Sequence, residues 1–440
     1  MILRGGTAMS LVDLQDGEIS REIFVNPDLY EQEKEQIFAR AWLYVGHESQ
    51  VGKPGDFFVS RMGEESVILT HDRADKIHVF LNTCRHRGMR VCRYDEGHAN
   101  ALYCPYHGWS YGLDGQLIAV QAYEASYDPP FPKEKWGLVE ARIANLQGTI
   151  WATWDPNAPS FDEYLGEAKD GLDVALRAWD GSEGGTELLG SPQKWIVPSN
   201  WKFVAENFAG DVLHSVSHRS VEMVGIGPGE TMARRDNPGR LVLSAFEGGH
   251  GFLYGIYPAA ADRADYQASP ITSEYFQERR RRRAERMGNR AGIVPMLGTV
   301  FPNMSFHAQQ PRTILVAHPA GPRKTEMWRV YFVDKDAPPE VRDFLRRYYM
   351  RYSGPGGMTE QDDMENWSYA SQASEGTMAR RYPYHYKSGM GSGGPHDLVP
   401  GFVTETPLTS EQNPRALYRR WAEFMDAKSW DDLKTPRAAR

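Results

Sequence analysis

The sequence predicts an α+β protein: a small all-β domain, then a larger domain in which helices and strands take turns. Chain length, a β-rich texture in the first third and a mixed pattern after it carry this reading. The 440 residues allow two or three domains at roughly 150 residues each, with length enough for a sizeable core. Between Tyr44 and about Asp155 the chain runs in short alternating stretches, such as Phe57-Phe58-Val59 and Ser66-Val67-Ile68-Leu69. Gly, Pro and Asp punctuate them, as in a compact β domain.

Ahead of that domain, Asn26-Pro27 reads as an N-cap with proline at the first helical position. Leu29, Tyr30, Ile37, Phe38, Ala41 and Trp42 recur at helical spacing, which predicts an amphipathic helix over 27–42. Beyond the β domain, Asp180-Gly181-Ser182-Glu183-Gly184-Gly185 reads as a loop. A helix is expected from Pro198 through Ser217, then strands at Arg240–Ser244, Thr313–His318 and Trp328–Val333. Val341, Phe344, Leu345, Tyr348 and Tyr349 mark a helix after Pro338-Pro339. Gly354-Pro355-Gly356-Gly357 breaks the chain before another. Asn413-Pro414 repeats the cap-plus-proline signature, with Leu417, Trp421 and Met425 on one face of a last helix. The basic run Arg279–Arg283, flanked by Glu278 and Glu285, reads as a solvated helix face.

Composition narrows the function classes. A formal net charge of −8 argues against general binding to nucleic acid or anionic membranes. The 12 Trp, 22 Tyr and 18 Phe fit a large apolar interior or pocket. Three cysteines (Cys84, Cys92 and Cys104) cannot build a disulfide scaffold, so a reducing, cytoplasmic setting is expected. No apolar run approaches the ~20 residues of a membrane span, and Met1–Ser20 lacks the pattern of a signal peptide. Met9 opens a more usual start, with residues 1–8 an upstream extension.

Two constellations carry chemistry. Cys84-Arg85-His86 is C-x-H and Cys104-Pro105-Tyr106-His107 is C-x-x-H, each beside a tight-turn glycine, Gly88 and Gly108. Two thiolates and two imidazoles can hold a tetrahedral zinc or a 2Fe–2S cluster in which two Cys bind one iron and two His the other. Zinc fingers usually keep cysteines with cysteines and histidines with histidines. Here each loop supplies one of each, which is what a cluster needs when each loop must reach both irons. Cys92 stands outside the pattern as a small buried filler.

The second constellation is polar. Asn207, Asp211, His214 and His218 fall within a stripe roughly 60° wide on a helix, among the apolar Phe203, Val204, Phe208, Val212 and Leu213. Burying such a line is costly unless something satisfies it. A metal does so; a hydrogen-bonded core network is the other reading. Glu360-Gln361-Asp362-Asp363-Met364-Glu365-Asn366-Trp367 adds carboxylates after a glycine-rich turn. Two His and one carboxylate make the facial triad of non-haem iron oxygenases, with positions left for dioxygen and substrate.

The text Cys84-Arg85-His86-Arg87-Gly88 with Cys104-Pro105-Tyr106-His107-Gly108-Trp109 resembles the Rieske domains of bacterial aromatic-ring-hydroxylating oxygenases. Ala205-Glu206-Asn207-Phe208-Ala209-Gly210-Asp211, Gly298-Thr299-Val300-Phe301-Pro302-Asn303 and the Asp362-Asp363 segment resemble the catalytic domain of their large (alpha) subunit. The resemblance runs from Trp42 to about Trp430. It implies an N-terminal helical segment (1–43) packing with the catalytic domain, a Rieske domain (44–157) and a catalytic domain (158–440) of helix-grip type, an antiparallel sheet covered by helices. It implies Cys84, His86, Cys104 and His107 as 2Fe–2S ligands, and His214, His218 and Asp363 as ligands of a mononuclear Fe(II). Asp211 would bridge the Rieske histidine of a neighbouring subunit to an iron-ligating histidine, and Asn207 would sit near the iron. The family places four or five residues between its iron-binding histidines; here three intervene, and His218 remains the candidate.

The reaction implied is cis-dihydroxylation of an aromatic ring, incorporating both atoms of O2 into an aromatic or polycyclic hydrocarbon with NAD(P)H as electron source. Phe208, Val212, Leu213, Phe301 and Met358 are the expected pocket residues. The chain has no G-x-G-x-x-G after a strand (Gly225-Ile226-Gly227-Pro228-Gly229 does not fit), so electrons must come from a separate reductase, with a ferredoxin. By resemblance, a small beta subunit completes a hexamer of three large and three small subunits. Competing readings are a Rieske oxygenase, even a mono-oxygenase, acting on an aromatic carboxylic acid such as phthalate or a substituted benzoate, and a Rieske electron carrier without oxygenase activity. An aromatic acid would call for one buried arginine.

Overall fold

The structure, a computed structural model, describes residues 7–224, 239–258, 270–309 and 311–434. The chain divides into two units: Phe38–Ala158, and a larger one made of the residues before and after it. The smaller unit thus begins ahead of the expected Tyr44, and residues up to Ile37 group with the larger unit.

The smaller unit is all β. Its strands are β1 (Leu43–His47), β2 (Asp56–Met62), β3 (Glu65–His71), β4 (Ile77–Leu81), β5 (Glu96–His98), β6 (Leu102–Tyr103), β7 (Ser110–Tyr111), β8 (Leu117–Ala119), β9 (Arg142–Leu146) and β10 (Thr149–Thr153). They form three antiparallel sheets, in the orders β4-β3-β2-β5, β8-β7-β6 and β9-β10-β1. In β2 the side chains of Phe58, Ser60 and Met62 are buried while Val59 and Arg61 lean outward, the two-residue period of a strand with one face on a core. Phe57, Ile68, Phe80, Trp109 and Tyr111 pack with Cys84, Cys92 and Cys104 into one cluster. The cysteines therefore sit in the apolar interior from which the ligand loops emerge.

In the larger unit a nine-stranded antiparallel sheet is the scaffold. Its strands are β11 (Thr186–Leu188), β12 (Gln193–Val197), β13 (Arg240–Ala245), β14 (Gly251–Ile256), β15 (Ile293–Val300), β16 (Met304–His307), β17 (Thr313–Pro319), β18 (Thr325–Asp334) and β19 (Phe402–Thr404). The order is β11-β18-β17-β16-β15-β14-β13-β19, with β12 also on β18; β13 to β18 follow one another as a meander. Helices α1 (Pro27–Glu33), α2 (Ala168–Leu176), α3 (Trp201–Phe208), α4 (Pro270–Met287), α5 (Pro339–Tyr352), α6 (Met358–Ala373) and α7 (Gln412–Asp426) complete it. α2 and α3 lie on β15, and α7 packs on β13 and β14. This is the expected antiparallel sheet covered by helices.

Several local expectations change. Asn26 does cap α1, its Oδ1 accepting from the Asp28 N–H at 2.9 Å, but the α-helix stops at Glu33 and passes into a π turn, Lys34–Phe38. The wider turn keeps Glu33, Ile37 and Phe38 all on the buried side. Ala8, read as part of an extension, is fully buried, and its N–H donates to Asp426 at 2.6 Å. Of the basic run on α4, Arg279 is not solvated: it is buried and faces Asp336 at 2.7 Å and Asp180 at 3.6 Å. Gly225–Gly229 lies outside the described residues.

The helix expected from Pro198 through Ser217 breaks in the middle. Asn200 caps α3, accepting from the Lys202 N–H at 3.0 Å. Gly210 then turns the chain with φ +127°, and a Cβ there would stand 2.7 Å from Leu243 Cδ2 and 3.0 Å from Asn413 Nδ2, so glycine is required. Asn413, expected as the N-cap of the last helix, lies inside α7 and serves the break instead. Its Nδ2 donates to Ala209 O at 2.6 Å, satisfying a carbonyl that the end of α3 leaves open. The chain resumes as a 3₁₀ turn, Leu213–His218.

A buried polar knot closes the larger unit. The Glu33 carboxylate, fully buried, accepts from Trp201 Nε1 at 2.8 Å and Trp421 Nε1 at 2.7 Å, and pairs with Lys202. A buried charge persists only when paired and hydrogen-bonded, and here α1, α3 and α7 each supply part of that pairing.

Candidate metal centres

In the smaller unit two loops repeat one design. Cys84 N–H donates to Met89 O at 2.8 Å and Gly88 N–H to Cys84 O at 3.0 Å; Cys104 N–H donates to Trp109 O at 2.8 Å and Gly108 N–H to Cys104 O at 3.1 Å. Gly88 and Gly108 both have φ +73°, a conformation that favours glycine, which is why each ligand pair is followed by one. The loops bring the His86 and His107 rings to 4.5 Å between centroids. His86 stacks on Trp109 at 5.1 Å, and the Tyr111 hydroxyl reaches Cys84 Sγ at 3.3 Å. Burial pushes the Cys104 thiol up, with Cys84 beside it adding to the effect.

Nδ1 of both His86 and His107 is buried without a hydrogen-bond partner, and Cys84 and Cys104 are buried free thiols. Buried polar atoms left open in this way are exceptional. Two thiols and two open ring nitrogens on matched loops fit a 2Fe–2S cluster with mixed ligation. Cys92 is buried beside them, its N–H and C=O both engaged by the Asn82 side chain.

The larger unit brings His214, His218 and Asp363 together, their donor atoms all within 4.8 Å of one another. Asp363 Oδ1 lies 3.6 Å from His214 Nε2 and 3.4 Å from His218 Nε2, and the two rings meet at 81° with centroids 5.1 Å apart. Metal bonds of about 2.1 Å arranged on one face of an octahedron put donors about 3 Å apart, close to this set. The three-residue spacing of the histidines works through the 3₁₀ turn, not through the expected continuous α-helix.

Each imidazole has a carboxylate behind it. Asp211 Oδ2 stands 3.5 Å from His214 Nδ1, and Asp362 Oδ2 is 3.2 Å from His218 Nδ1. Such partners fix ring orientation and raise ligand basicity. The Asp362 contact went unread in the sequence, where the acid appears only as the neighbour of Asp363. Asp211 also differs from expectation: its Oδ1 is not free but accepts from the Leu213 N–H at 2.9 Å.

Burial pushes the Asp363 carboxyl up to about 8; a bound cation supplies the charge that keeps such a group ionised. Burial also acts to lower His214, but Asp211 and Asp363 hold it above its ordinary value. His307, at the end of β16, is pushed down to about 3 by burial, with Arg329, His214 and His218 contributing. It is a neutral imidazole beside the triad.

The expected pocket residues scatter. Phe208 is buried with its ring 5.3 Å from His307 and 6.2 Å from Trp367, so it stays with the triad, and Asn207 is buried next to it on α3. Leu213 is 45% exposed and Val212 half-buried, because the break at Gly210 turns them away from the buried face of α3. Met358 is half-buried as the first residue of α6. Phe301 belongs to a different wall: its ring packs on Phe424 at 5.3 Å. It sits at the turn of the β15–β16 hairpin, while His307 lies at the far end of β16, about 10 Å along a strand. His307, Arg329 and Trp367 take the places beside the triad. A lone arginine in the apolar run Met327–Val333 was the one sequence signal for Arg329.

Residues 41–132 match the family model described as Rieske [2Fe-2S] domain, and residues 161–427 match Ring hydroxylating alpha subunit (catalytic domain). The chain is 39% identical to the benzene 1,2-dioxygenase subunit alpha of Pseudomonas putida, over 97% of this chain and 95% of that one. It is 38% identical to the biphenyl 2,3-dioxygenase subunit alpha of Rhodococcus jostii (strain RHA1), over 98% and 93%. The crystal structure of naphthalene 1,2-dioxygenase from Rhodococcus sp. bound to indole is similar with a TM-score of 0.85 and 31% identity, covering 96% of this chain and 98% of that one.

Proposed function

Because the chain belongs to the alpha subunits of the ring-hydroxylating dioxygenases, we propose that Cys84, His86, Cys104 and His107 hold its Rieske cluster and that His214, His218 and Asp363 hold its iron. The protein is an oxidoreductase that cis-dihydroxylates an aromatic ring in the breakdown of aromatic compounds. The overall balance is arene plus O2, two electrons and two protons to cis-dihydrodiol. When bound, the cluster passes electrons singly and the mononuclear iron activates O2 with them.

The residues around that iron do the positioning. Asp362 bonds the outer nitrogen of His218 and Asp211 faces that of His214 at 3.5 Å, while both Nε2 atoms face Asp363. Phe208, His307 and Trp367 wall the site, and neutral His307 adds no charge to it. We read Asp211, its side chain one-third exposed, as the acid that would accept a hydrogen bond from His107 of an adjacent subunit and link that cluster to His214, even though its Oδ1 already accepts from Leu213. Asn207 lies next to this assembly.

The observation that carries the assignment is the convergence of the three donors with an acid behind each histidine. The substrate is an uncharged arene, a single-ring or fused hydrocarbon. An aromatic acid requires a buried counter-cation, and the arginine beside Phe208, Arg329, is already neutralised by Glu360 at 2.5 Å. The benzene and biphenyl relatives support the same class. As an alpha subunit of a multicomponent system it works with further proteins; a small beta subunit in a hexamer, a ferredoxin and a reductase fed by NAD(P)H are the set proposed. No described helix is long and apolar enough to cross a membrane, and three free cysteines fit a cytoplasmic protein.

Reconstituted enzyme supplied with ¹⁸O2 should convert benzene, biphenyl or naphthalene to a cis-diol carrying two labelled atoms. A product with one labelled atom, or turnover confined to benzoates and phthalates, would replace this reading with the mono-oxygenase or aromatic-acid one.

A further inference from the structure

Arg329 stands in the middle of β18 and is 1% exposed. A guanidinium there must be matched, because an isolated buried charge is among the costliest features a fold can carry. The match is Glu360: Arg329 Nη2 to Glu360 Oε2 is 2.5 Å, with both side chains 2% exposed. Glu360 Oε2 also accepts from the Gly354 N–H at 3.1 Å, so the same oxygen holds the turn that leads into α6. On its other side the guanidinium lies 5.7 Å from the Phe208 ring. One side chain thereby ties the sheet, the start of α6 and the end of α3.

The position of Glu360 matters. It lies in the first turn of α6, three residues before Asp363, and residues so spaced share a helix face. The N-cap, Gly357, offers no capping side chain, and the start of the helix is held by the Thr359 hydroxyl on Tyr352 O and by Glu360 on the Gly354 N–H. Toward the metal site its rotation is fixed by its acids: Glu360 on Arg329, Asp362 on His218, and Asp363 toward both histidines.

We infer that Arg329 is a positioning residue for the metal site, a clamp that fixes the first turns of α6 and so decides where Asp363 meets His214 and His218. The inference rests on the proposed iron ligands and adds a determinant from a separate strand. It also gives the buried arginine a role other than substrate recognition. Without the guanidinium, Glu360 is a buried carboxylate with no cation; it must draw the helix toward water or take up a proton, and either change releases the rotation that presents Asp363. Lysine keeps the charge but cannot reach both Glu360 and Thr313, to whose Oγ1 Arg329 Nη1 donates at 3.4 Å.

The test uses the holoenzyme, with the Rieske absorption and EPR spectra of the same chain as the internal control for a folded protein. Iron affinity is read from metal analysis after dialysis against graded chelator, and site geometry from the EPR spectrum of the Fe(II)–nitrosyl adduct. Arg329→Met should bind iron 10- to 100-fold more weakly, the usual cost of losing a group that supports metal ligands, and its nitrosyl signal should spread into several species. Arg329→Lys should recover part of the affinity. The charge-free pair Arg329→Met with Glu360→Met removes the buried charge that threatens folding; it should fold, yet still bind iron weakly. Wild-type affinity and a single nitrosyl signal in Arg329→Met, or in the pair if the single variant does not fold, would overturn the clamp. Asp363→Ala separates the two levels: if it keeps its iron, the ligand assignment itself has failed, whereas iron loss there with full iron in Arg329→Met refutes only the clamp.

Discussion

The two candidate metal centres are built on opposite principles. In the smaller unit each Cys–His pair lies on one tight loop, closed by the same two backbone hydrogen bonds and the same glycine φ, so the ligands come almost ready from local geometry. In the larger unit the histidines sit on a 3₁₀ turn and the carboxylate on a helix, where Asp362, the residue before the ligand Asp363, stands 144 positions from His218. Local geometry alone does not hold that triad. It depends on a helix break, an asparagine borrowed from α7 and an arginine on the sheet. The first centre should therefore tolerate change at a distance, and the second should register it.

The sharpest test of that contrast exchanges losses between the centres. His107→Ala should abolish the Rieske spectrum while mononuclear iron stays, and His214→Ala, His218→Ala or Asp363→Ala should each take mononuclear iron and turnover to background with the Rieske spectrum intact. Elemental analysis with EPR reads both. Iron retained in His218→Ala would show that the short histidine spacing points to another ligand.

Next come the acids behind the imidazoles. Asp211→Asn should keep both metals but slow Rieske oxidation in a single turnover, with product formation falling about 10- to 100-fold. Rieske oxidation at the wild-type rate would remove the bridging role. Asp362→Asn should leave the cluster untouched and weaken iron binding by about tenfold, as measured by chelator competition.

A smaller effect is expected at Gly210, where Ala combines an unfavourable φ with a close approach to Leu243 and Asn413. Strain of this kind costs of order 1–3 kcal/mol, and calorimetry should show it in the unfolding of the larger unit alone.

The last effect is a pH slope. Burial pushes the Glu206 carboxyl, bonded by Tyr386 at 2.7 Å and by Tyr418, up from 4.5 to about 8. The folded state then holds a proton that the unfolded chain releases. The stability this confers is complete below pH 4.5 and is lost as pH rises toward 8. Glu206→Gln should flatten that slope, shifting the melting temperature by a few degrees at the alkaline end.

How much of this was legible in the sequence follows the same divide. The C-x-H and C-x-x-H loops could be read residue by residue, because spacing and turn glycines are local properties. The strands of β17 and β18 and the helix after Pro338 were legible for the same reason, in their periodicity. His214, His218 and Asp363 could be named from two separate motifs, but not the way they meet. Periodicity carried a helix straight through Gly210, since only Leu243 and Asn413, distant in sequence, forbid it. Asn-Pro reads as a cap because it usually is one, and Leu213 reads as buried only along a continuous helix. Arg329, Asp362 and His307 acquire their roles only from partners on other elements, and a single sequence does not display such partnerships.

The knot at Glu33 has a consequence for how the chain is made. Its four residues come from near the start, the middle and the end of the sequence, with Glu33 and Trp421 separated by 388 positions. During synthesis the β-rich unit is complete once Ala158 has emerged, and domains generally fold as units in that order. The larger unit cannot close then: Glu33 and Lys202 must wait, a carboxylate and an ammonium without their indole, until the last long helix leaves the ribosome. Assembly of the catalytic body is thus timed by α7, and loss of that helix leaves the segment around Glu33 without its lock long after the cluster-bearing unit has formed.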